Sequence, residues 1–301
     1  MAKEEYYIAM MRKPWQRYVK PFKLRILTDR IRITSACRDC DDLPRVPNAG
    51  ECFVDDSGHA VQVMHNGLKV LYGRYYGAWL NEIIRQLRGV HEPQEEWVFH
   101  HVMKHIPPGA VMVEAGCYWG YYSMWFAREV RDAQIYLVEP QPNQMKVALK
   151  NFEINGLTAD HTHAYFGSYP KQKLEIQRRR LGHLPGLTIG KFMAMKGLDR
   201  ITMLHADIQG HEEEMLDDAR ALLAARKIDW LHVSTHGARH LGTKAILQEA
   251  GYRLIAEHDV GQSASADGLL VAQNPDLPEI PPIEISMVEG LVQVHDGLEL
   301  A

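Results

Sequence analysis

From about residue 95 to residue 274, short apolar runs alternate with segments whose apolar residues recur at helical spacing, and this alternation limits the fold more than any other feature of the chain. "EEWVFHHVMKHI" has helical spacing and stops at "PPG", and "AVMVEAG" follows as a buried strand. "YYSMWFAREV" reads as helix and "AQIYLVEP" as strand. "PNQMKVALKNFEING" reads as a helix opened by a proline and closed by Gly156. "THAYF", "ITMLHADI", "WLHVSTH", "YRLIAEH" and "GLLVAQN" supply five further strands, with the helices "HEEEMLDDARALLAARK" and "RHLGTKAILQEAG" among them. Strands separated by helices cannot pair as hairpins, so the order predicts an α/β fold with a doubly wound, mostly parallel, Rossmann-like sheet. Such sheets bind ligands at the carboxyl ends of their strands, which directs attention to the last residues of each run.

The first third reads differently. "ECFVDDSGHAVQVMHNGLKVLYG" alternates apolar and polar residues around the turn signals "DSG" and "HNG", which predicts a small antiparallel meander. Before it, "MAKEEYYIAMMRKPWQRYVKPFKLRILTDRIRIT" is mostly basic where it is charged. The chain thus divides into an N-terminal added α+β segment (residues 1–90), the α/β domain (91–275) and a proline-spaced tail (276–301), expected to lie as an extended arm. An apolar share of 46% over 301 residues excludes a disordered chain, and a net charge of -4 gives no reason to expect nucleic acid as a partner. No apolar run approaches a spanning helix and no signal-peptide core opens the chain, so a cytoplasmic location is expected. The basic aromatic N-terminus, with Tyr6, Tyr7, Trp15, Tyr18 and Phe22, suits a second subunit in a homodimer or peripheral contact with a membrane surface. The pair "CRDC" has metal or redox spacing, and Cys52 and His59 are the further ligands zinc would need; reduced, structural cysteines are the expectation.

The first strand of the α/β domain ends in "VEAGCYWGYYS", placing Glu114, Gly116 and Gly120 at its carboxyl edge. Glycines there turn the backbone tightly and allow it close to a ligand, and the next helix offers free N–H groups. The spacing is Gly-x-x-x-Gly, with Tyr118 and Trp119 where a dinucleotide site has a glycine, and no Gly-Lys-Ser/Thr loop occurs for a triphosphate. The second strand ends in "LVEP", so Glu139 stands where a carboxylate accepts ribose hydroxyls, of NAD or of S-adenosylmethionine alike.

Taken together, "VEAGCYWGYYS", "VEPQPNQMKVALKNFEING" and "MLHADIQGHEEEML" resemble the FkbM-type family of S-adenosylmethionine-dependent methyltransferases. That family reads as an acid-x-Gly-Ala-Asn-x-Gly turn, then Glu-Pro-x-Pro with a helix ending in Asn-x-x-x-Asn-Gly, then Lys-x-Asp-x-Glu-Gly-x-Glu. The resemblance spans residues 95 to 272 and implies cofactor contacts at Glu114, Gly116, Cys117, Tyr118, Gly120, Glu139, Pro140 and Asp207. It also matches Asn151, Asn155 and Gly156 as structural positions, and Gly210 and Glu212 beside Asp207. The chain departs from the pattern at Cys117-Tyr118, which replace Ala-Asn, at His205, which replaces Lys, and at Gln209, which replaces Glu.

Methyl transfer to an alcohol needs alignment and a base for the hydroxyl proton, and histidine is the usual base because its free pKa is near working pH. The fifth strand, "WLHVSTHG", ends at His236; neighbouring strands four and five should turn His236 and Asp207 into one pocket, with His236 as the expected general base. A divalent metal held by Asp207, His236, His240 and Glu212 is the weaker alternative mechanism. A small-molecule or glycan hydroxyl is the expected acceptor, and Arg178, Arg179 and Arg180 in a long connection suit its phosphate or carboxylate. An NAD-linked oxidoreductase and a non-catalytic cofactor-binding protein are the rival functions.

Overall fold

The computed structural model describes residues 21–167, 184 and 186–288. Helix α1 (Pro21–Ala36) leads into strands β1 (Cys52–Val54), β2 (Ala60–Val63) and β3 (Lys69–Leu71), which form the antiparallel meander. Its first turn is held by Asp55, whose Oδ1 accepts from the amides of Ser57 and His59, so this acid is a turn residue. Helices α2 (Ala78–Gln86) and α3 (Pro93–Met103) follow. The α/β part then runs β4 (Val111–Ala115), α4 (Tyr121–Glu129), β5 (Gln134–Val138), α5 (Pro142–Ile154), β6 (Asp160–Thr162), β7 (Tyr165–Phe166), β8 (Gly186–Leu187) and α6 (Ile189–Lys196). It continues with β9 (Ile201–Ala206), α7 (Glu212–Asp218), α8 (Arg220–Ala224), β10 (Ile228–Thr235), α9 (Arg239–Glu249), β11 (Arg253–His258) and β12 (Gly268–Gln273).

Seven strands form the central sheet in the order β11-β12-β10-β9-β4-β5-β6. From β10 through β6 all pairings are parallel, whereas β12 runs antiparallel between β10 and β11. The fold is thus the expected doubly wound α/β sheet with one reversed strand. That reversal was not readable from periodicity, because "GLLVAQ" is buried along its whole length and looks the same in either direction. Two expected elements divide: "THAYF" splits between β6 and β7, and the helix after β9 breaks at Ala219.

Because side chains alternate along a strand, the sheet carries two cores. One face packs Val113, Ala115, Leu204, Ala206, Leu231 and Val233 against α6 to α9. The other packs Met112, Met203, Trp230 and Val271 against α3, α4 and α5, and Leu27, Met64 and Val70 of the first third belong to this same core. The asparagines of "KNFEING" tie the layers: Asn151 and Asn155 accept from the amides of Leu71 and Lys69 at 2.9 Å each. The tail crosses the sheet edge as an arm over the chain itself, with Ile280 buried and the Ile283 amide bonded to the Ile255 carbonyl. No helix among the described residues is long and apolar enough to cross a membrane.

Candidate functional site

At the end of β4 the chain turns through Gly116 (φ 73°), Tyr118 (φ 40°) and Gly120 (φ 70°) before α4 begins. Both glycines are obligatory, but not for the reason expected from the sequence. A Cβ at Gly116 would fall onto the carbonyl oxygen of Asp207, so this glycine admits the backbone of β9 rather than a ligand. At Gly120 a Cβ would lie 3.0 Å from Phe152 and 3.3 Å from Ala148 of α5, so that glycine admits a helix. The turn also engages several of its own amides. Gly116 and Cys117 donate to the Val138 carbonyl and Gly120 donates to that of Cys117. Tyr118 donates to Glu139 at 3.2 Å, and the Ser123 amide in the first turn of α4 donates to Glu114 at 3.1 Å. A turn that elsewhere would cradle phosphate here has carboxylates on its donors.

Beside it lies a narrow cleft open to solvent. Glu114, Gly116, Cys117, Tyr118 and Asp207 line it, which gathers five of the expected cofactor residues. Gly120, Glu139 and Pro140 are not in its wall. Glu139 is buried and holds the turn, its Oε1 accepting from the Gln141 amide at 2.8 Å; burial pushes its carboxyl up to about 7. Cys117 is buried against the turn and desolvation raises its thiol far above the usual range, so it is a packing residue. The rest of the wall was not foreseen: Tyr75, His91, Glu92, Trp119, Tyr122, His205 and Ser234. Tyr75 stacks on Trp119 with ring centroids 4.2 Å apart and planes 2° from parallel, and meets Tyr118 edge-on at 4.9 Å. Tyr75 comes from the loop before α2, so the added N-terminal layer builds part of the cleft.

Asp207 follows β9 and His236 follows β10, and because these strands are parallel neighbours the two side chains meet, His236 Nε2 lying 3.5 Å from Asp207 Oδ1. Asp267, which precedes β12, brings a second carboxylate to 3.2 Å of Nε2, and Glu212 accepts from Nδ1 at 2.9 Å. Three acids around one imidazole raise His236 to about 10, with Asp267 and Glu212 the largest attractions. These acids favour the imidazolium, a form without a lone pair for a general base, while the Gln209 amide nitrogen lies 3.0 Å from His236 Nε2. Asp207, raised by burial, is the acid of the cluster that lines the cleft. Gln209, left-handed at φ 55°, donates to Asp207 at 2.8 Å.

The expected metal set divides. His240 turns away, its Nδ1 bonded to Thr235 and its Nε2 3.5 Å from Glu257, and Glu212 engages the far side of the His236 ring. Asp207 and His236 of that set instead converge with Asp267, each offering a donor atom within 4.8 Å of the others. Cys37 and Cys40 are buried free thiols, and His59 pairs with Asp55 instead of reaching them. Arg178, Arg179 and Arg180, and Tyr6, Tyr7, Trp15 and Tyr18, lie outside the described residues.

No family model matches the chain, and no curated protein matches it. Among solved structures it is similar to M. capricolum TrmK in complex with S-adenosyl-homocysteine, at 14% identity over 60% of this chain and 71% of that one, with TM-score 0.40. It is similar to magnesium protoporphyrin IX methyltransferase (ChlM) from Synechocystis PCC 6803 with bound SAM, at 16% identity over 60% and 77%, TM-score 0.40. The ribosomal protein L11 methylase from Lactobacillus delbrueckii subsp. bulgaricus gives 12% identity over 62% and 80%, TM-score 0.40. Likenesses at this level carry no residue roles to this chain.

Proposed function

We propose that this chain is an S-adenosylmethionine-dependent methyltransferase of the FkbM type, acting on a hydroxyl of a sugar, glycan or secondary metabolite. The observation that supports this reading is the lining of the cleft. Glu92, Glu114, Asp207 and His91 line it together with the rings of Tyr75, Tyr118, Trp119 and Tyr122, and the Tyr118 and Ser123 amides of the adjacent turn are held by carboxylates. Carboxylates and aromatic faces attract a cationic ligand and repel a pyrophosphate. The same observation weighs against NAD, whose two phosphates would meet acids where they need donors.

Bound S-adenosylmethionine would supply a sulfonium-activated methyl group. The chain's own part is to hold an acceptor hydroxyl at the cleft and remove its proton. Asp207 is placed for that step: its carboxylate lines the cleft and would take the hydroxyl proton as the oxygen forms its bond to carbon. His236 acts through Asp207, as a fixed cation that orients the carboxylate and, with Glu212 behind it, cannot swing out. Calorimetric titration with S-adenosylmethionine and with NAD separately tests the reading. Binding of the former alone is expected; binding of NAD with no response to S-adenosylmethionine overturns it. Labelled methyl donor offered with nucleotide sugars and glycan extracts then identifies the acceptor.

A further inference from the structure

Beneath the cleft lies a second cluster that the methyl-transfer reading does not use. The register of three adjacent parallel strands sets Glu114 opposite His205 and His205 opposite His232, so one sheet face carries an acid and two imidazoles side by side. Both histidines are buried, and their rings stack with centroids 5.2 Å apart and planes 19° from parallel. Helix α3 crosses this row and brings down Glu95, itself 1% exposed. Ser234 donates to Glu95 Oε2 at 2.9 Å, and His232 Nε2 lies 3.4 Å from the Glu95 carbonyl.

These contacts leave a specific set of atoms over. Glu95 Oε1, His232 Nδ1 and both ring nitrogens of His205 are buried and make no hydrogen bond among the described residues. A buried polar atom without a partner costs about 1–3 kcal/mol, and four at one point are too many to be incidental. One donor atom from each of Glu95, His205 and His232 lies within 4.8 Å of the other two. Metal bonds of about 2.1 Å in a tetrahedral site put donors about 3.4 Å apart, so the set closes when the two stacked imidazoles turn out of parallel toward Glu95. His232 Nε2 faces a backbone carbonyl at 3.4 Å, and the tautomer with its proton there would leave the lone pair on Nδ1, as a metal ligand requires. The neighbouring ion pairs leave the Glu95 carboxyl out. Glu92 and Glu96 pair with His91, whereas Glu95 has no ion pair among the described residues and Glu114 has only His205 at 3.9 Å.

We propose that Glu95, His205 and His232 bind a divalent transition-metal ion of the zinc or ferrous class. Two neutral imidazoles and one carboxylate suit such borderline ions and not magnesium or calcium, which prefer oxygen throughout. His205 and Ser234 line the cleft, so the ion lies at its floor.

Metal content and Co²⁺ spectra of the full chain test this without any methylation assay. The protein is stripped with a chelator, reloaded with Zn²⁺ or Co²⁺ and analysed for metal. One ion per chain, visible Co²⁺ bands and a rise in melting temperature on reloading are expected. Glu95→Gln, which retains an acceptor for Ser234, and His205→Gln should each weaken Co²⁺ binding by about 100-fold or more, with unchanged far-ultraviolet circular dichroism. Asp267→Asn should leave loading as in the parent chain. Absence of Co²⁺ bands in the parent overturns the proposal. Loss of binding in Asp267→Asn with retention in Glu95→Gln also overturns it, by placing the ion at Asp207 and His236.

Discussion

The two faces of the central sheet are built from the same strands and differ at one end only. On the face covered by α6 to α9, Val113, Ala115, Leu204, Ala206, Leu231 and Val233 are fully buried and apolar, and the polar residues Asp229 and Thr235 at the two ends of β10 are both hydrogen-bonded. The face under α3 starts equally apolar, with Met112, Met203 and Trp230, and then changes to Glu114, His205, His232 and Ser234. Buried polar groups destabilise a fold unless they are satisfied or used: Asp229 and Thr235 on the first face are satisfied, by Arg200 and His240, whereas Glu95 of α3 and His205 and His232 beneath it keep atoms without partners among the described residues, which separates the part that does chemistry from the part that supports it.

The sharpest break of that comparison is a substitution in each part. Asp207→Asn removes the acid that lines the cleft, and is expected to lower methyl-transfer turnover by about 10²- to 10⁴-fold while S-adenosylmethionine still binds. Turnover within a few-fold of the parent would remove Asp207 from the chemistry. Leu231→Ala on the supporting face is expected to do the reverse. It opens a cavity worth about 2–5 kcal/mol of stability in urea denaturation, with cofactor affinity in the surviving folded protein unchanged. A change of affinity there would show that the faces are not separable.

Between these lies a prediction on pH. His236 is held near 10 by Asp207, Asp267 and Glu212, above the usual histidine value of 6.5. A folded-state value above the unfolded one stabilises fully below the unfolded value and loses that stabilisation as pH rises through the folded one. The melting temperature of the parent should therefore exceed that of His236→Gln most at about pH 6, and the gap should close as pH rises toward 10. Melting curves of both proteins across this range check it; a gap that widens with pH would mean that the imidazole is neutral in the fold.

How much of this could be read from the chain depends on what kind of signal each part leaves. The sheet was legible because helical and strand periods alternate over many residues, and Asp207 and His236 were legible as the ends of neighbouring runs. Asp267 was not, because the strand it precedes is reversed and brings its beginning to the edge where the other strands end. His205 and His232 sit at alternate positions in "MLHA" and "WLHV", on the same face as Glu114, but only register makes them neighbours. Gly116 was correctly placed at the turn and wrongly explained, since the backbone that approaches it belongs to a strand about 90 residues away. His236 was found by position, but its protonation depends on Asp267 and Glu212, which reach it from two other elements.

The smallest expected effect tests whether the added N-terminal layer belongs to the active part. Tyr75 lies in the loop between the meander and α2, yet its ring stacks on Trp119 of the β4 turn and contacts Tyr118 and His91 edge-on at 4.9 and 5.8 Å. An aromatic pair of this kind contributes about 0.5–1.5 kcal/mol beyond its buried area. Tyr75→Leu keeps most of the apolar bulk and loses the ring, so Trp119 and Tyr118 are left to reorient at the cleft wall. The expected result is a loss of about 2- to 13-fold in S-adenosylmethionine affinity, which is that energy expressed as a binding ratio. Tyr75→Phe, which keeps the stack, should bind as the parent does. Equal affinity in all three proteins would place the whole layer on the supporting side of the comparison, and the cleft would then be the work of residues 91 to 267 alone.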